Sequence, residues 1–378
     1  MKLAIISPFP PIRGGISQET EILYNALIKQ NHHIKIFNFK KLYPTLFFPG
    51  KSQYIDNYLE NPKDNVLNII SSINPISWNK VVKIIINENF DNIVFRYWHP
   101  FVIPAYNFIK NNLKKNNSNT KIFCICDNVF PHERFMFDRF LLKSFFKNID
   151  GFFSMSSLIN SQIKQINKNA NIKNIFLPIK YNLGEKISKK SALKKLNIKK
   201  TFVILFFGFI RSYKGLDILL KALKYFSKIN NDFKLLIVGE CYEKENKYLK
   251  LIKQLNISNN IIWINRFVND NEIKIFFSAT DVVVLPYRVT SQSGIIPIAY
   301  NFNKLILVSD LEGLNNYVVK NKTGYLFRPN DHKDLANKLI DIYLKHDFDK
   351  SEKEIMHFKQ NFSPKKLIKE MIAFIKNV

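Results

Sequence analysis

The chain has 378 residues, 46% of them hydrophobic, and 57 Lys+Arg against 30 Asp+Glu leave a net charge of +27. That length exceeds one ordinary core and predicts two domains of roughly 150–200 residues each. No apolar run reaches the ~18 residues of a membrane-spanning helix, three cysteines cannot build a disulfide framework, and the basic excess is spread over both halves without a nucleic-acid motif, which argues against a nucleic-acid partner.

The opening run, Met1 to Pro8, is too short for a signal peptide and reads as a first strand. A cytoplasmic protein is therefore expected, its charge leaving room for loose peripheral contact with anionic lipid at the inner membrane face. Gly14-Gly15 follows, then a helix over Ser17–Lys29 and a strand over His33–Phe39. Residues 41–78 are irregular and stay unplaced. Further strands are expected at Ile93–Tyr97, Lys121–Cys126, Gly151–Met155 and Ile175–Leu177, with helices at Asn79–Asn89, Phe101–Lys115, Phe135–Lys147 and Ser156–Lys168 between them. Cys124 and Cys126 lie within a strand, and no second Cys or His pair gives metal-ligand spacing, so neither metal nor cofactor is expected.

Residues 181–200 lose this rhythm, carry many lysines and read as a linker with a short helix. Strands resume at Thr201–Phe207, Phe233–Val238, Ile261–Ile264, Asp281–Leu285, Leu305–Val308 and Gly324–Phe327. The expected organisation is a first domain over 1–180, a second over 201–360, and a terminal helix over 361–378. Alternating strands and helices with short loops make this α/β, two Rossmann-like domains with mostly parallel sheets. Ligands in such sheets bind beyond the carboxyl ends of the strands.

Polar residues collect at those ends. The strongest stretch is Phe207-Gly208-Phe209-Ile210-Arg211-Ser212-Tyr213-Lys214-Gly215, between an apolar strand and a helix beginning at Leu216. Arg211 and Lys214 add full charges beside a helix start and suit a diphosphate. Gly239-Glu240 ends the next strand. Thr290-Ser291-Gln292-Ser293-Gly294 presents hydroxyl, amide and N–H donors to a phosphate or sugar. In the first half, Gly14 and Gly15 let backbone approach a ligand closely. His99 lies between Trp98 and Pro100. Asp127 and Asn128 end an apolar strand, where the Asp127 carboxylate should emerge at the sheet edge. His132-Glu133 serves either acid/base work and sugar hydroxyls or the cap of the following helix.

These residues resemble glycosyltransferase family 4, retaining enzymes of the GT-B fold, over nearly the whole chain. Ser7 to Ile16 looks like the family's Gly-Gly loop, and Phe207-Gly208 with Arg211 and Lys214-Gly215 like its donor-phosphate motif. Leu236–Glu240, Asp281–Pro286 with Ser291–Gly294, and Gly324–Phe327 follow its remaining motifs in order. The resemblance implies two lobes facing across a cleft and a last helix crossing back to the first domain. It implies retaining transfer of a sugar from a nucleotide-sugar donor, UDP- or GDP-linked, to a glycan or lipid-linked acceptor without a metal, in surface-polysaccharide assembly. Arg211 and Lys214 would neutralise the departing diphosphate, and His99 would sit near the sugar. Gly14, Gly15, Gly208, Glu240, Ser291, Gln292, Ser293 and Gly294 would bind the donor, with Asn128, His132 and Glu133 toward acceptor or sugar. The chain departs from the family at its Glu-x7-Glu pair. The first position falls within Thr290-Ser291 and the second at Ile298 or Ala299, so no carboxylate stands at either. Asp127 stands where many relatives have His. The alternative is a non-catalytic relative that binds nucleotide or glycan as an assembly partner.

Overall fold

The computed structural model describes residues 1–43, 53–55, 63–116, 119–130, 138–179, 183–290 and 292–378. The chain divides into two compact units, Met1–Pro178 with Ser363–Val378, and Ile179–Phe362.

In the first unit the elements are β1 (Lys2–Ile6), α1 (Gly15–Ile28), β2 (His33–Lys41), β3 (Val66–Ser71), α2 (Pro75–Asn87), β4 (Asn92–Tyr97), α3 (Ile103–Asn116), β5 (Lys121–Cys126), α4 (Asp138–Phe146), β6 (Gly151–Ser154), α5 (Ser157–Ile166) and β7 (Ile172–Asn174). The seven strands run parallel in the order β3-β2-β1-β4-β5-β6-β7. Strands such as Ile122–Cys126 are buried on both faces, which is why they read as continuous apolar runs rather than alternating ones. Local chemistry sets the helix starts. Asn74 Oδ1 accepts from the Ile76 N–H at 3.0 Å ahead of Pro75, and Ser156 Oγ accepts from the Ile159 N–H at 3.3 Å. The chain's last helix, Pro364–Asn377, buries Ile368, Met371 and Ile375 in the same core as Leu3, Ile34 and Phe123.

The second unit holds α6 (Lys189–Lys195), β8 (Phe202–Phe207), α7 (Leu216–Phe226), β9 (Phe233–Val238), α8 (Asn246–Gln254), β10 (Ile261–Ile264), α9 (Asp270–Ala279), β11 (Val282–Leu285), α10 (Ile295–Asn301), β12 (Leu305–Ser309), α11 (Glu312–Asn315), β13 (Gly324–Phe327), α12 (His332–Lys345) and α13 (Phe348–Phe358), before the last helix, α14. Its sheet runs β10-β9-β8-β11-β12-β13, again parallel. Each unit is therefore a Rossmann-like sheet whose strand order turns back once, between β1 and β4 and between β8 and β11. That reversal opens a crevice at the carboxyl ends, where doubly wound sheets take their ligands.

Three expectations change. The stretch read as irregular contains the edge strand β3, mostly half-exposed. The short strand expected at Ile175–Leu177 lies at Ile172–Asn174, because the register with β6 pairs Phe152 with Ile172. The lysine-rich segment read as a linker is folded: Leu183, Ala192, Leu193 and Ile198 join the core of the second unit. The short helix expected there is α6 (Lys189–Lys195), whose Ala192 and Leu193 pack inward while most of the segment's lysines are exposed.

Candidate active site

In the second unit the residues at the ends of β8, β9 and β11 come together. Gly208 has φ +100°, in the region that favours glycine. Gly239 has φ +140°, and a Cβ on it would stand 2.3 Å from the Gly208 carbonyl oxygen, so the two strand ends touch backbone to backbone. The Ile210 N–H donates to the Glu240 carbonyl at 2.9 Å, and the Tyr242 N–H returns a bond to the Ile210 carbonyl at 3.1 Å. This lengthens the β8–β9 contact past the strands and aims the following turn.

That turn, Ser212–Lys214, is a single 3₁₀ turn ahead of α7. Lys214 is 9% exposed. Its Nζ would lie 3.0 Å from a Cβ on Gly208, so the ammonium rests against that glycine, 5.4 Å from the centre of the Tyr287 ring. Among the described residues no carboxylate pairs with it and no carbonyl accepts from it. Burial pushes its pKa below the usual lysine value; Tyr213 opposes the push and Arg211 adds to it. Arg211 is exposed, its guanidinium 5.1 Å from the Tyr242 ring centre, and it too has no carboxylate partner among the described residues.

Beside this turn, the Tyr287 hydroxyl lies 3.4 Å from Ser293 Oγ, which also accepts from the Ile295 N–H at 3.3 Å. The Gln292 N–H donates to Thr290 Oγ1 at 3.2 Å. Gly294 is exposed and open where a Cβ would point. The glycine-rich turn, Glu240 and the 292–294 loop thus gather around one set of strand ends. Ser291 lies outside the described residues.

In the first unit Gly14, with φ +132°, and Gly15 open α1, both with free space where a Cβ would stand. His99 is half-buried. Its Nδ1 accepts from the Phe101 N–H at 3.2 Å, which leaves Nε2 to carry the proton of the neutral ring. Burial lowers its pKa, against the pull of Asp138, and keeps it neutral near pH 7.

Asp127 departs from its expected place. It does not emerge at the sheet edge; it is 3% exposed, and its two oxygens accept from Arg96 Nε and Nη2, each at 2.8 Å. Arg96 Nη2 also donates to Glu19, and Nη1 reaches the Ile16 carbonyl at 3.4 Å. Burial pulls the Arg96 pKa down, yet Asp127 and Glu19 hold it above the ordinary value. Asp127 is therefore the counter-ion of a buried arginine, and its carboxylate points inward rather than out at the sheet edge. Asn128 is half-buried and its carbonyl accepts from Cys126 Sγ at 3.4 Å. His132 and Glu133 lie outside the described residues, as does the expected helix start at Phe135; the helix is described from Asp138.

The sequence assigns no role to Arg96, Glu19, Arg288 or Asp217, while Tyr287 is read there as a strand-end residue. A signal existed for Arg96, since an arginine inside the apolar run Ile93–Tyr97 demands a buried acid. None existed for the partners, which stand 31 residues from Arg96 in the case of Asp127 and 71 from Arg288 in the case of Asp217.

Two parallel sheets, each reversing its strand order once, are the two Rossmann-like domains of the GT-B fold. Residues 188–361 match the family model described as Glycosyl transferases group 1. The chain is 28% identical over 151 residues to an uncharacterized glycosyltransferase of Haemophilus influenzae, a match spanning 40% of this chain and 41% of that protein. Solved structures of similar fold include sucrose-phosphate synthase from Thermosynechococcus elongatus (TM-score 0.75, 15% identity, 100% of this chain and 98% of that one). A glycosyltransferase from Rickettsia africae gives 0.75, 19%, 100% and 98%. Anabaena HepE in complex with UDP and glucose gives 0.73, 16%, 100% and 100%. At these identities the structural likeness is one of fold alone, and the match to the glycosyl transferases group 1 model covers residues 188–361.

Proposed function

We infer that this protein is a retaining glycosyltransferase of family 4, moving a sugar from a nucleotide-sugar donor to the hydroxyl of a glycan or lipid-linked acceptor. One observation carries the reading: the buried Lys214 ammonium, pressed against Gly208 with no carboxylate partner among the described residues. A desolvated, unmatched cation is costly unless an anion completes it, and the diphosphate of a UDP- or GDP-sugar is an anion of the right kind. Arg211 gives a second charge from the exposed side of the same turn. As the glycosidic bond to the diphosphate breaks, negative charge grows on the leaving oxygen, and fixed cations stabilise that growth. They do the work a divalent ion does elsewhere, so the reaction is read as metal-independent. The UDP and UDP-glucose held by Anabaena HepE support a nucleotide-sugar donor.

In this reading the second unit binds the donor through Gly208, Glu240, Gln292, Ser293 and Gly294, and Ser291 is assigned to the donor with them. Gly14 and Gly15 bring backbone N–H groups toward phosphate, and the neutral His99 offers Nε2–H to a sugar hydroxyl. Asn128, His132 and Glu133 are assigned to the acceptor side. The setting is surface-polysaccharide assembly, with a cytoplasmic protein touching the inner membrane face peripherally. The test is a turnover screen of UDP- and GDP-sugars, with and without acceptor extracts, read by mass spectrometry. Release of nucleoside diphosphate from one donor is expected; no turnover of any donor by folded protein overturns the reading. A second reading, a non-catalytic nucleotide binder, is favoured by Ile298 and Ala299 standing where the family carries a carboxylate. It predicts calorimetric binding of UDP or GDP, abolished in Arg211→Ala, with no transfer to any acceptor.

A further inference from the structure

Among the described residues the Ser212–Lys214 turn carries little hydrogen bonding of its own: the Lys214 N–H donates to the Arg211 carbonyl at 2.9 Å and the Gly215 N–H to the Ser212 carbonyl at 3.1 Å. It is fixed from two sides: Glu243, after β9, accepts from the Ser212 N–H, and the loop leaving β11 holds the turn's carbonyls. Arg288 Nη1 donates to the Ser212 carbonyl at 2.6 Å, and the Arg288 N–H donates to the Tyr213 carbonyl at 2.7 Å. The guanidinium is in turn locked by Asp217, in the first turn of α7, through Nη1–Oδ1 at 3.0 Å and Nη2–Oδ2 at 2.7 Å. Gly215, with φ +67°, lies so close to the same loop that a Cβ on it would stand 1.9 Å from the Pro286 carbonyl oxygen. Although burial raises the Asp217 carboxyl, the Arg288 hydrogen bonds hold it below the usual carboxylate range, and the pair is ionised throughout the neutral range.

The contrast with its neighbours is chemical. Arg211 and Lys214 keep their charge unmatched, whereas Arg288 has its charge cancelled by a bidentate carboxylate. A guanidinium so engaged is poorly placed to bind a phosphate and well placed to hold backbone. We propose that Arg288, clamped by Asp217, is a positioning residue for the donor-diphosphate site: it sets the turn that carries Lys214 under Gly208 and contributes no direct charge to the ligand. This rests on the function inferred above, and it separates from it experimentally.

The full-length chain and its Arg288→Lys and Asp217→Asn variants are compared by two measurements. Hydrogen exchange on the ligand-free proteins reads the turn itself. Protection of the 211–216 amides is expected to fall about tenfold or more in both variants, while β9 and β12 keep wild-type protection. Unchanged exchange at the turn overturns the proposal, whatever the nucleotide results. Calorimetry with UDP, GDP and inorganic pyrophosphate reads the consequence. Positioning predicts that both variants weaken diphosphate binding about tenfold or more, lysine failing to rescue because it lacks the planar fork. A direct phosphate contact predicts the opposite for Asp217→Asn, which would free the guanidinium and tighten binding; that result overturns the proposal. Wild-type protein that binds none of these ligands defeats the inferred function and leaves the exchange measurement to decide the positioning role.

Discussion

The strand-order reversals of the two sheets carry the same kinds of residue and treat charge in opposite ways. At the β1/β4 reversal the buried Arg96 is satisfied several times over, by both oxygens of Asp127, by Glu19 and by the Ile16 carbonyl. At the β8/β11 reversal Lys214 is nearly as buried and has no carboxylate among the described residues. A charge cancelled internally fastens elements together, here β4, β5 and the first turn of α1. A charge left unmatched in a desolvated place lowers the stability of the empty protein and raises its appetite for an anion. The comparison separates structural from functional cations more sharply than residue type or exposure does.

Arg96→Met gives the largest expected effect. It strands Asp127 without its counter-ion, and breaking a buried pair from one side costs about 3–5 kcal/mol. Urea denaturation should show a loss of that order in the first unit. Calorimetric affinity of the remaining folded protein for UDP or GDP should fall less than in Lys214→Met, since the donor residues of the second unit are untouched and only the Gly14-Gly15 turn ahead of α1 loses support. A variant as stable as wild type would show that the network adds nothing to the fold.

Lys214→Met inverts the pattern. Removing one fixed donor from a charge-stabilising site costs roughly 10²–10³ in rate, so kcat/KM should fall by that factor. Stability should hold or rise, because the buried ammonium was costly. A variant that loses the fold, or one that keeps its rate, would erase the distinction between the two cations.

The same contrast shows in pH. The Lys214 pKa is displaced downward by burial, so the unfolded chain binds its proton more tightly than the folded one. Its contribution to the stability of the empty protein therefore rises with pH through the window between the displaced value and the ordinary lysine value. Diphosphate affinity should move the other way and fall as the ammonium deprotonates in that window. Glu19 has the opposite sign: burial raises its pKa despite Arg96, so its stabilisation is complete below the ordinary glutamate range and is lost as pH rises through the displaced value. Glu19→Gln should flatten the stability profile on the acid side without altering the alkaline limb of binding, and Lys214→Met should abolish that limb. Identical profiles in the two variants would break the assignment.

How much of this the sequence shows depends on the range of the interaction. The glycine turn at 208–215 was readable because strand, turn and helix are contiguous and each obeys its own local rule; β9, β10 and β13 begin and end where the apolar runs do. The strand β3 was hidden because an edge strand is half-exposed, so Val66–Ser71 carries neither a clean alternation nor an unbroken apolar run. The short helix within 183–200 was legible, but its packing onto the second unit was hidden by lysines that outnumber the four apolar residues anchoring the segment. The ion pairs were invisible for a different reason. Asp127 looks the same in sequence whether it faces solvent or Arg96, and only the β4–β5 register, which sets Arg96 beside Ile125, decides which. The neutralisation of Arg288 by Asp217 likewise follows from a long-range contact across the sheet top, and local pattern cannot encode it.

The smallest effect belongs to Arg211→Ala, and it tests the comparison within one site. Arg211 is exposed and rests on the Tyr242 ring, so its field is screened by water in a way that Lys214's is not. A cation at such a place is worth about 0.2–1 kcal/mol to a bound diphosphate, so affinity should fall by up to about fivefold, and the loss should shrink as salt is raised. The Lys214→Met deficit should be nearly insensitive to salt over the same range. Calorimetric titrations at low and high ionic strength separate the two slopes. If both deficits fade alike, Lys214 is functionally as solvated as Arg211, and its burial against Gly208 is not what binds the anion.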